Sequence, residues 1–213
     1  MTTSEKQLEL EAIASEIKAF RGLDIARAAT HAVPGEGNPD AAIMFIGEAP
    51  GFNEDQQGRP FVGQAGKLLE KTLREALNMD RSEIYITNIV KFRPPENRDP
   101  FPQEIEVCAG WLDRQIAAIH PKIIVTLGRF SMAKFIPDVT ISRVHGQPRF
   151  VDFQGVRYIV FPMYHPAAAL RAGAVLKEFQ LDFNKLKQLL SPSAPPVPEP
   201  ASAAPNIMQT SLF

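Results

Sequence analysis

The chain is poor in cysteine, and it has neither a long apolar run nor an excess of charge of one sign. A single cysteine among 213 residues excludes an internal disulfide framework and is typical of a reducing compartment. No run approaches the roughly 18 apolar residues of a membrane span, and the first five residues lack the pattern of a signal peptide. We therefore expect a monomeric, cytoplasmic protein with no membrane partner.

The charges nearly cancel. With 23 Lys and Arg against 24 Asp and Glu, the formal net charge is −1. Such a chain has no general attraction to nucleic acid, so a nucleic-acid partner would have to be held by a local basic patch.

Apolar runs that alternate with helical patterns predict one α/β domain over residues 1–190. Four runs have the composition of buried parallel strands, at residues 42–46, 84–88, 123–127 and 158–161. Helical patterns cover residues 6–20, 64–77, 103–119, 129–135 and 174–190, and a hairpin is predicted over 149–160 with its turn at Gln154 and Gly155. The fold class predicted is a three-layer α/β/α fold with a small central four-stranded parallel sheet.

Residues 47–63, directly after the first predicted strand, have the composition of an active-site loop. Glycines allow close backbone approach to a ligand, and prolines stiffen the turns between them. Glu48 and Glu54 supply carboxylates and Phe61 supplies an aromatic ring, whereas Asp55 is expected to anchor the loop. Open α/β sheets bind ligands at the carboxyl ends of their strands, so a site is expected here.

Two further polar residues follow predicted strands. Asn88 ends the second strand, and its amide offers a donor and an acceptor together. His165 follows the fourth strand and precedes a proline, which favours extended geometry at an element boundary. We expect both side chains at the same edge of the sheet as the loop.

Three segments together resemble the signature motifs of family 4 uracil-DNA glycosylases. They are residues 47–63, residues 86–98 and the His165-Pro166-Ala167 sequence, and the likeness extends from about residue 16 to about residue 190. The resemblance implies the fold of the uracil-DNA glycosylase superfamily and hydrolysis of the bond between uracil and deoxyribose, which leaves an abasic site for base excision repair. The target nucleotide would have to be flipped out of the stack into a pocket.

The resemblance also implies roles in binding uracil. Phe61 would stack on the base, Asn88 would pair with N3–H and O4, and His165 would stabilise negative charge at O2. Gly47 and Ala49 would line the same pocket, with Ala49 in the position where better-known members of the superfamily carry an aspartate. Either Glu48 or Glu54 could orient the attacking water, and the sequence leaves both open.

Contacts with the DNA strand are assigned to polar residues in and beside the motifs. They would position phosphates without reading sequence. Leu170 and Arg171, just after the histidine motif, are candidates for a wedge that fills the gap left by the flipped base. The phosphate-contacting candidates are Arg59, Lys91, Arg93, Asn97 and Arg98.

The chain departs from the family at the iron–sulfur cluster. Most members are expected to hold a four-iron, four-sulfur cluster with four cysteines. With the motifs in register, the corresponding positions here are Phe20, Leu23, Phe92 and Cys108, so three ligands are replaced by apolar side chains. We therefore expect no cofactor and no metal, with a small hydrophobic core in that space and Cys108 as a buried thiol.

The C-terminus changes composition after residue 190. Residues 191–206 are dominated by Pro, Ala and Ser and are predicted to be a disordered linker. Residues 207–213 contain Gln209, Leu212 and Phe213 in a pattern that resembles the peptide with which bacterial repair proteins bind the DNA sliding clamp. Tethering to the clamp would raise the effective concentration of the domain near DNA.

Two other functions stay open at this stage. The lost cluster raises the alternative of a non-catalytic module that binds uracil or damaged DNA without releasing the base. A related branch becomes covalently trapped on the abasic sugar through a histidine after the second motif, but this chain has Glu96, Asn97 and Arg98 there. Stable cross-linking is therefore not expected.

Overall fold

A computed structural model of the chain describes residues 1–191, and within this range the backbone forms a six-stranded sheet. The strands are β1 (Glu36–Gly37), β2 (Ile43–Gly47), β3 (Tyr85–Asn88), β4 (Ile123–Leu127), β5 (Arg149–Phe153) and β6 (Val156–Met163). Their order is β1-β3-β2-β4-β6-β5. The predicted linker and clamp-binding peptide, including Gln209, Leu212 and Phe213, lie outside the described residues apart from Ser191.

The four predicted strands form the parallel centre of this sheet. Strand β2 pairs in parallel with β3 and β4, and β4 pairs in parallel with β6. The predicted four-stranded parallel sheet is confirmed as the centre of a larger sheet, to which β1 and β5 add antiparallel edges. Strand β1 has only two residues and no apolar run, whereas the predicted hairpin supplies β5 and β6 with its turn at Gln154 and Gly155.

Helices cover both faces of the sheet. The long ones are α1 (Thr3–Ala19), α4 (Gln64–Thr72, continued by a π-helical segment Leu73–Leu77), α5 (Pro102–Ile119) and α9 (Gly173–Leu189), each close to its predicted range. The short ones are α2 (Asp24–Ala28), α3 (Phe52–Gln57), α6 (Arg129–Ala133), α7 (Ile141–Val144) and α8 (Pro166–Arg171). Of these, the sequence indicated only α6. Within residues 1–191, no helix is long and apolar enough to cross a membrane.

Alternation along the strands separates two hydrophobic cores. Met44 and Ile46 of β2 face the core that contains residues of α1 and α5, whereas Ile43 and Phe45 face the core that contains residues of α4 and α9. Successive side chains of a strand point to opposite faces of the sheet. Because helices cover both faces of this sheet, both sets of side chains in β2 are apolar. The three-layer α/β/α prediction is confirmed, and the strand ends meet at one edge.

Candidate functional site

A cavity of about 530 Å³ lies at the carboxyl ends of the parallel strands. The loop after β2, the last residue of β3, the residues after β4 and the residues after β6 all contribute to its lining. Many residues singled out from the sequence are brought together here: Glu48, Ala49, Glu54, Phe61, Asn88, Asn97, Arg98, His165 and Arg171.

The absence of a side chain at Gly47 brings the ring of Phe61 close to Asn88. A Cβ added at Gly47 would come within 2.5 Å of the ring atom Cζ of Phe61 and would also overlap the Asn88 amide. Phe61 itself has a φ of +52° and is buried, and Gly66 of α4 lets the Phe61 carbonyl approach that helix. A left-handed backbone is costly for a bulky residue. The ring is thus held in place by its surroundings.

The amide of Asn88 has an unused acceptor. Its side chain is buried, and Oδ1 has no hydrogen-bond partner among residues 1–191. The main-chain oxygen, in contrast, accepts a hydrogen bond of 2.8 Å from Nζ of Lys91. A buried acceptor left unpaired costs free energy, which a ligand that brings a donor can recover.

His165 begins helix α8 and caps it with its own ring. Its Nδ1 accepts a hydrogen bond of 3.1 Å from the backbone N–H of Ala167, so a neutral ring carries its proton on Nε2. Burial lowers the pKa of His165 to about 4, with Glu54 opposing this shift and Arg171 adding to it. The ring centroid lies 5.7 Å from that of Phe61. At neutral pH the site therefore holds an uncharged imidazole with one N–H donor.

The structure separates the two carboxylates that the sequence left equal. Glu54 accepts hydrogen bonds from the backbone N–H groups of Val62 (2.9 Å), Gly63 (2.7 Å) and Gly51 (3.1 Å). Glu48 makes no side-chain hydrogen bond within the described part of the chain and lines the cavity half-buried. Glu54 therefore holds the loop in shape, and Glu48 is the carboxylate available to a reactant.

Burial also sets the electrostatics of Glu48. It raises the pKa of this carboxyl group above its usual range, the nearby Asp99 carboxylate raises it further, and Arg129 opposes both. Asp55 has the anchoring role expected of it, since its Oδ1 accepts hydrogen bonds from the backbone N–H groups of Thr30 (2.9 Å) and His31 (3.3 Å).

Lys91 does not belong to the DNA-facing surface, and its assignment as a phosphate contact was wrong. The side chain is fully buried, with Nζ donating to Thr87 Oγ1 (2.7 Å), Gln115 Oε1 (2.8 Å) and the main-chain oxygen of Asn88 (2.8 Å). Burial lowers its pKa to about 7. A side chain held this way supports strand β3 from inside and cannot reach a phosphate.

The other basic candidates differ in their surroundings. Arg59 lies outside the cavity lining and pairs with Glu36 through two hydrogen bonds of 2.7 and 2.9 Å. Arg93 donates from Nε to Oδ1 of Asn97 at 2.8 Å. Arg171 lines the cavity and forms no ion pair within residues 1–191, and the neighbouring Leu170 is exposed.

Sequence reasoning missed several residues of the cavity. Gly128 and Arg129 follow strand β4 directly and so lie at the same edge of the sheet as the predicted residues. The rule that placed Asn88 at a strand end would have found them. Tyr164 directly follows strand β6 and would have been found by the same rule. Asp99, which pairs with Arg129, also lines the cavity, and no comparable local signal distinguishes it.

The four positions expected to replace a metal cluster lie in one hydrophobic core. Leu23, Phe92 and Cys108 are buried in it and Phe20 packs against it. The ring centroids of Phe20 and Phe92 are 6.0 Å apart, and each contacts Trp111, at 5.0 and 6.4 Å. Burial raises the pKa of the Cys108 thiol. The three replacing side chains and the thiol therefore belong to one hydrophobic core.

Comparison with known proteins identifies the family of the chain. The family model of the uracil DNA glycosylase superfamily matches residues 34–187. The chain is 48% identical over 185 residues to the type-4 uracil-DNA glycosylase of Sulfurisphaera tokodaii, which covers 84% of either protein. It is 46% identical to that of Saccharolobus solfataricus (85% of this chain, 87% of the relative) and 45% identical to that of Archaeoglobus fulgidus (87% and 96%). The chain therefore belongs to the uracil-DNA glycosylase superfamily and, within it, to the type-4 uracil-DNA glycosylases, as a member with a single cysteine.

Proposed function

We propose that the protein is a DNA glycosylase that flips uracil out of DNA and hydrolyses its N-glycosidic bond, leaving an abasic site for base excision repair. The observation that carries this proposal is the Oδ1 of Asn88, unpaired within residues 1–191, beside the buried ring of Phe61, with an uncharged His165 in the same cavity. A stacking ring, an amide and an imidazole N–H are the groups needed to hold one flat base by its face and its edges.

Asn88 is proposed to distinguish uracil from cytosine. Its Oδ1 would accept the N3–H of uracil and its Nδ2 would donate to O4. Cytosine has an unprotonated N3 and an amino group at C4, so both interactions would be lost and polar groups would be left unpaired. Sites of this kind can discriminate by about 10⁴-fold or more. Phe61 would hold the ring by stacking.

His165 is proposed to stabilise the leaving group. As the bond between C1′ and N1 breaks, the electron pair moves onto the base, and Nε2–H would donate a hydrogen bond to O2 of the developing anion. The Nδ1 acceptor is already occupied by the N–H of Ala167, so the donor is fixed in direction before the base arrives. The ring does not need to be charged for this role.

Glu48 is proposed to act on the water. The sugar acquires positive charge as the base departs, and a carboxylate beside it stabilises that charge. The water oxygen then bonds to C1′ while Glu48 accepts the water proton, and the released uracil anion is protonated by solvent. Glu54 is excluded from this step in our proposal because both of its oxygens are engaged by backbone N–H groups.

The DNA strand is proposed to be held by the residues around the cavity. Arg93, Asn97, Arg98 and Arg171 would contact phosphates, and Leu170 would enter the stack. The near-neutral net charge makes this patch responsible for binding, so affinity should fall steeply with added salt.

We also propose that no iron–sulfur cluster is required. The support is the single cysteine and the hydrophobic core that it shares with Leu23 and Phe92, with Phe20 packed against that core. Iron measured on purified protein should be far below one equivalent, and iron bound in proportion to activity would overturn this part.

Docking on a bacterial sliding clamp through Gln209, Leu212 and Phe213 is a separate proposal, supported by the sequence alone. Deletion of residues 209–213 should abolish capture of the protein by immobilised clamp. The same deletion should leave uracil release from short oligonucleotides unchanged, and unaltered clamp capture would reject the assignment.

Release of uracil from a labelled oligonucleotide tests the main proposal. Wild type should release uracil but not cytosine, and the substitutions Asn88→Ala and His165→Ala should each slow single-turnover release by roughly 10²-fold or more. Leu8→Ala, exposed on α1, is the control and should act like wild type. Tight binding of uracil DNA without release would favour a non-catalytic module, and a slow protein–DNA band on a denaturing gel would favour covalent trapping.

A further inference from the structure

Two phenylalanines are exposed beside the cavity, although large aromatic rings are normally buried. Phe52 is 56% exposed and begins α3, directly after Gly51 of the cavity lining. Phe101 is 57% exposed and precedes α5, two residues after Asp99 of the lining. An exposed aromatic ring beside a cavity offers an apolar face to a ligand that extends out of that cavity.

Each ring is backed by an arginine. The guanidinium carbon of Arg93 lies 5.1 Å from the ring centroid of Phe52, and that of Arg98 lies 3.7 Å from the centroid of Phe101. A guanidinium stacks on one face of an aromatic ring, which leaves the other face of an exposed ring to solvent. The two rings therefore present a free aromatic surface.

Both arginines are themselves fixed. Arg98 donates to the two carboxylate oxygens of Glu104 at 2.7 and 2.9 Å, and Arg93 donates to Oδ1 of Asn97 at 2.8 Å. A ring held on a fixed support loses little conformational freedom when a ligand stacks on it. The same short segment, residues 93–101, supplies both arginines and four residues of the cavity lining.

We propose that Phe52 and Phe101 are stacking platforms for the bases next to the flipped uracil, so that the preferred substrate is single-stranded or locally unpaired DNA. This inference rests on the proposed function. In a duplex the face of each base is covered by its neighbours, whereas an unpaired strand can offer its base faces to side chains. Aromatic rings interleaved with basic groups are the usual surface for such a strand.

Charge favours a nucleic-acid strand over an apolar protein partner. Arg93, beside the cavity, and Arg171, in its lining, form no ion pair in the part of the chain that the structure describes. A protein partner that used the exposed rings alone would leave these charges next to an apolar interface. A strand brings a phosphate with each base and matches both features.

The test pairs protein variants with modified substrates. Oligonucleotides carry one uracil whose neighbour on one side is either a normal base or a tetrahydrofuran residue that lacks a base. Binding and single-turnover release are measured for wild type, Phe52→Ala, Phe101→Ala, both Phe→Tyr variants and the control Leu8→Ala. Each stacked base should be worth roughly tenfold in affinity for the single strand.

If a ring stacks on the neighbouring base, removing the ring and removing that base are not additive. Each alanine variant should then bind the normal single strand roughly tenfold more weakly than wild type does. On the strand that lacks the neighbouring base on that side, the variant and wild type should bind with nearly equal affinity. The tyrosine variants should retain wild-type affinity, because the aromatic face is kept. Loss on a fully paired duplex should be much smaller.

Three results would overturn the platforms: unchanged affinity in the alanine variants, equal losses with and without the neighbouring base, or equal losses on single strand and duplex. Failure of the proposed function is a different outcome. Wild type would then release no uracil, while the binding measurements on the same oligonucleotides would still report whether the rings contact the neighbouring bases.

Discussion

The buried ammonium group of Lys91 donates a hydrogen bond of 2.8 Å to the main-chain oxygen of Asn88, the residue whose side-chain amide faces the cavity. The same group contacts Thr87, four residues earlier, and Gln115 of α5. A lysine inside the protein thus links the end of strand β3 to the helix behind it. The floor of the site is supported from the core.

Titration of Lys91 should be visible in protein stability. The pKa is about 7 in the folded chain against an ordinary value of 10.5, so the unfolded chain binds more protons between these values. The free energy of unfolding therefore rises with pH through this group, by roughly 2 kcal/mol between about pH 7 and about pH 9. In Lys91→Met this part of the rise should disappear, as measured by denaturant unfolding at both pH values.

The exposed Lys67 provides the control for that experiment. Lys67→Met should keep the pH dependence of wild type. If Lys91→Met also kept the pH dependence of wild type, Lys91 would be charged throughout the pH range of the experiment. Its three hydrogen-bond acceptors would then stabilise the protonated form against the effect of burial.

The sequence alone was sufficient to predict the strands, helices and site residues that depend on local patterns. The four parallel strands are short runs of apolar residues, and the rule that ligands bind at strand ends pointed to Glu48, Asn88 and His165, which the structure brings to one cavity. The four long helices also have clear patterns. The additional short helices are only four to six residues long and have too few turns to show a repeat.

What could not be predicted depends on contacts between distant residues. Lys91 and Arg93 are basic residues two positions apart, and contacts with distant residues such as Gln115, 24 residues from Lys91, make only the lysine a buried support. Glu48 and Glu54 have the same side chain and lie in the same loop, but only Glu54 accepts hydrogen bonds from backbone N–H groups of that loop. Burial and hydrogen bonding of charged groups are set by tertiary structure.

The two carboxylates should respond differently to removal of charge. Glu48→Gln should lower kcat by roughly 10²-fold to 10⁴-fold with little change in stability, because the side chain is proposed to act on water and has no partner within residues 1–191. Glu54→Gln should lower the free energy of unfolding by roughly 1.5 to 3 kcal/mol, because an amide N–H₂ would face a backbone N–H. Single-turnover release and thermal unfolding measure the two effects.

Glu106, exposed on α5, is the matched control, and Glu106→Gln should change neither quantity. A Glu54→Gln variant with full stability and no activity would instead assign the water to Glu54.

The pH dependence of kcat/KM should be set by Glu48 and not by His165. Glu48 has to be ionised to accept a proton, and burial raises its pKa above 4.5, so activity should fall on the acid side of neutrality. His165, with a pKa of about 4, should cause no inflection near the ordinary histidine value of 6.5. Single-turnover release across the acidic and neutral range measures this. An inflection near 6.5 that vanished in His165→Gln would contradict the assignment.

Two glycines inside helices should give opposite results on replacement by alanine. Gly110 of α5 has no atom within 4 Å of an added Cβ, so Gly110→Ala should stabilise the protein by roughly 0.5 to 1 kcal/mol. At Gly66 of α4 an added Cβ would overlap the carbonyl of Phe61. Gly66→Ala should therefore lower stability and weaken binding of the base through Phe61. Denaturant unfolding measures the stability of both variants, and uracil binding measures the effect on the site. Equal gains in stability would show that the position of Phe61 does not depend on the absence of a side chain at Gly66.

Phe92 should be essential to the core that occupies the expected cluster position. It is 1% exposed and contacts Phe20 and Trp111, so Phe92→Ala should lower the free energy of unfolding by roughly 3 to 5 kcal/mol. Phe52→Ala, which removes an exposed ring, should change stability very little and serves as the control. Denaturant unfolding measures both. A small loss at Phe92 would mean that neighbouring side chains collapse into the space, and the aromatic packing would then not be what replaces the three missing thiolates.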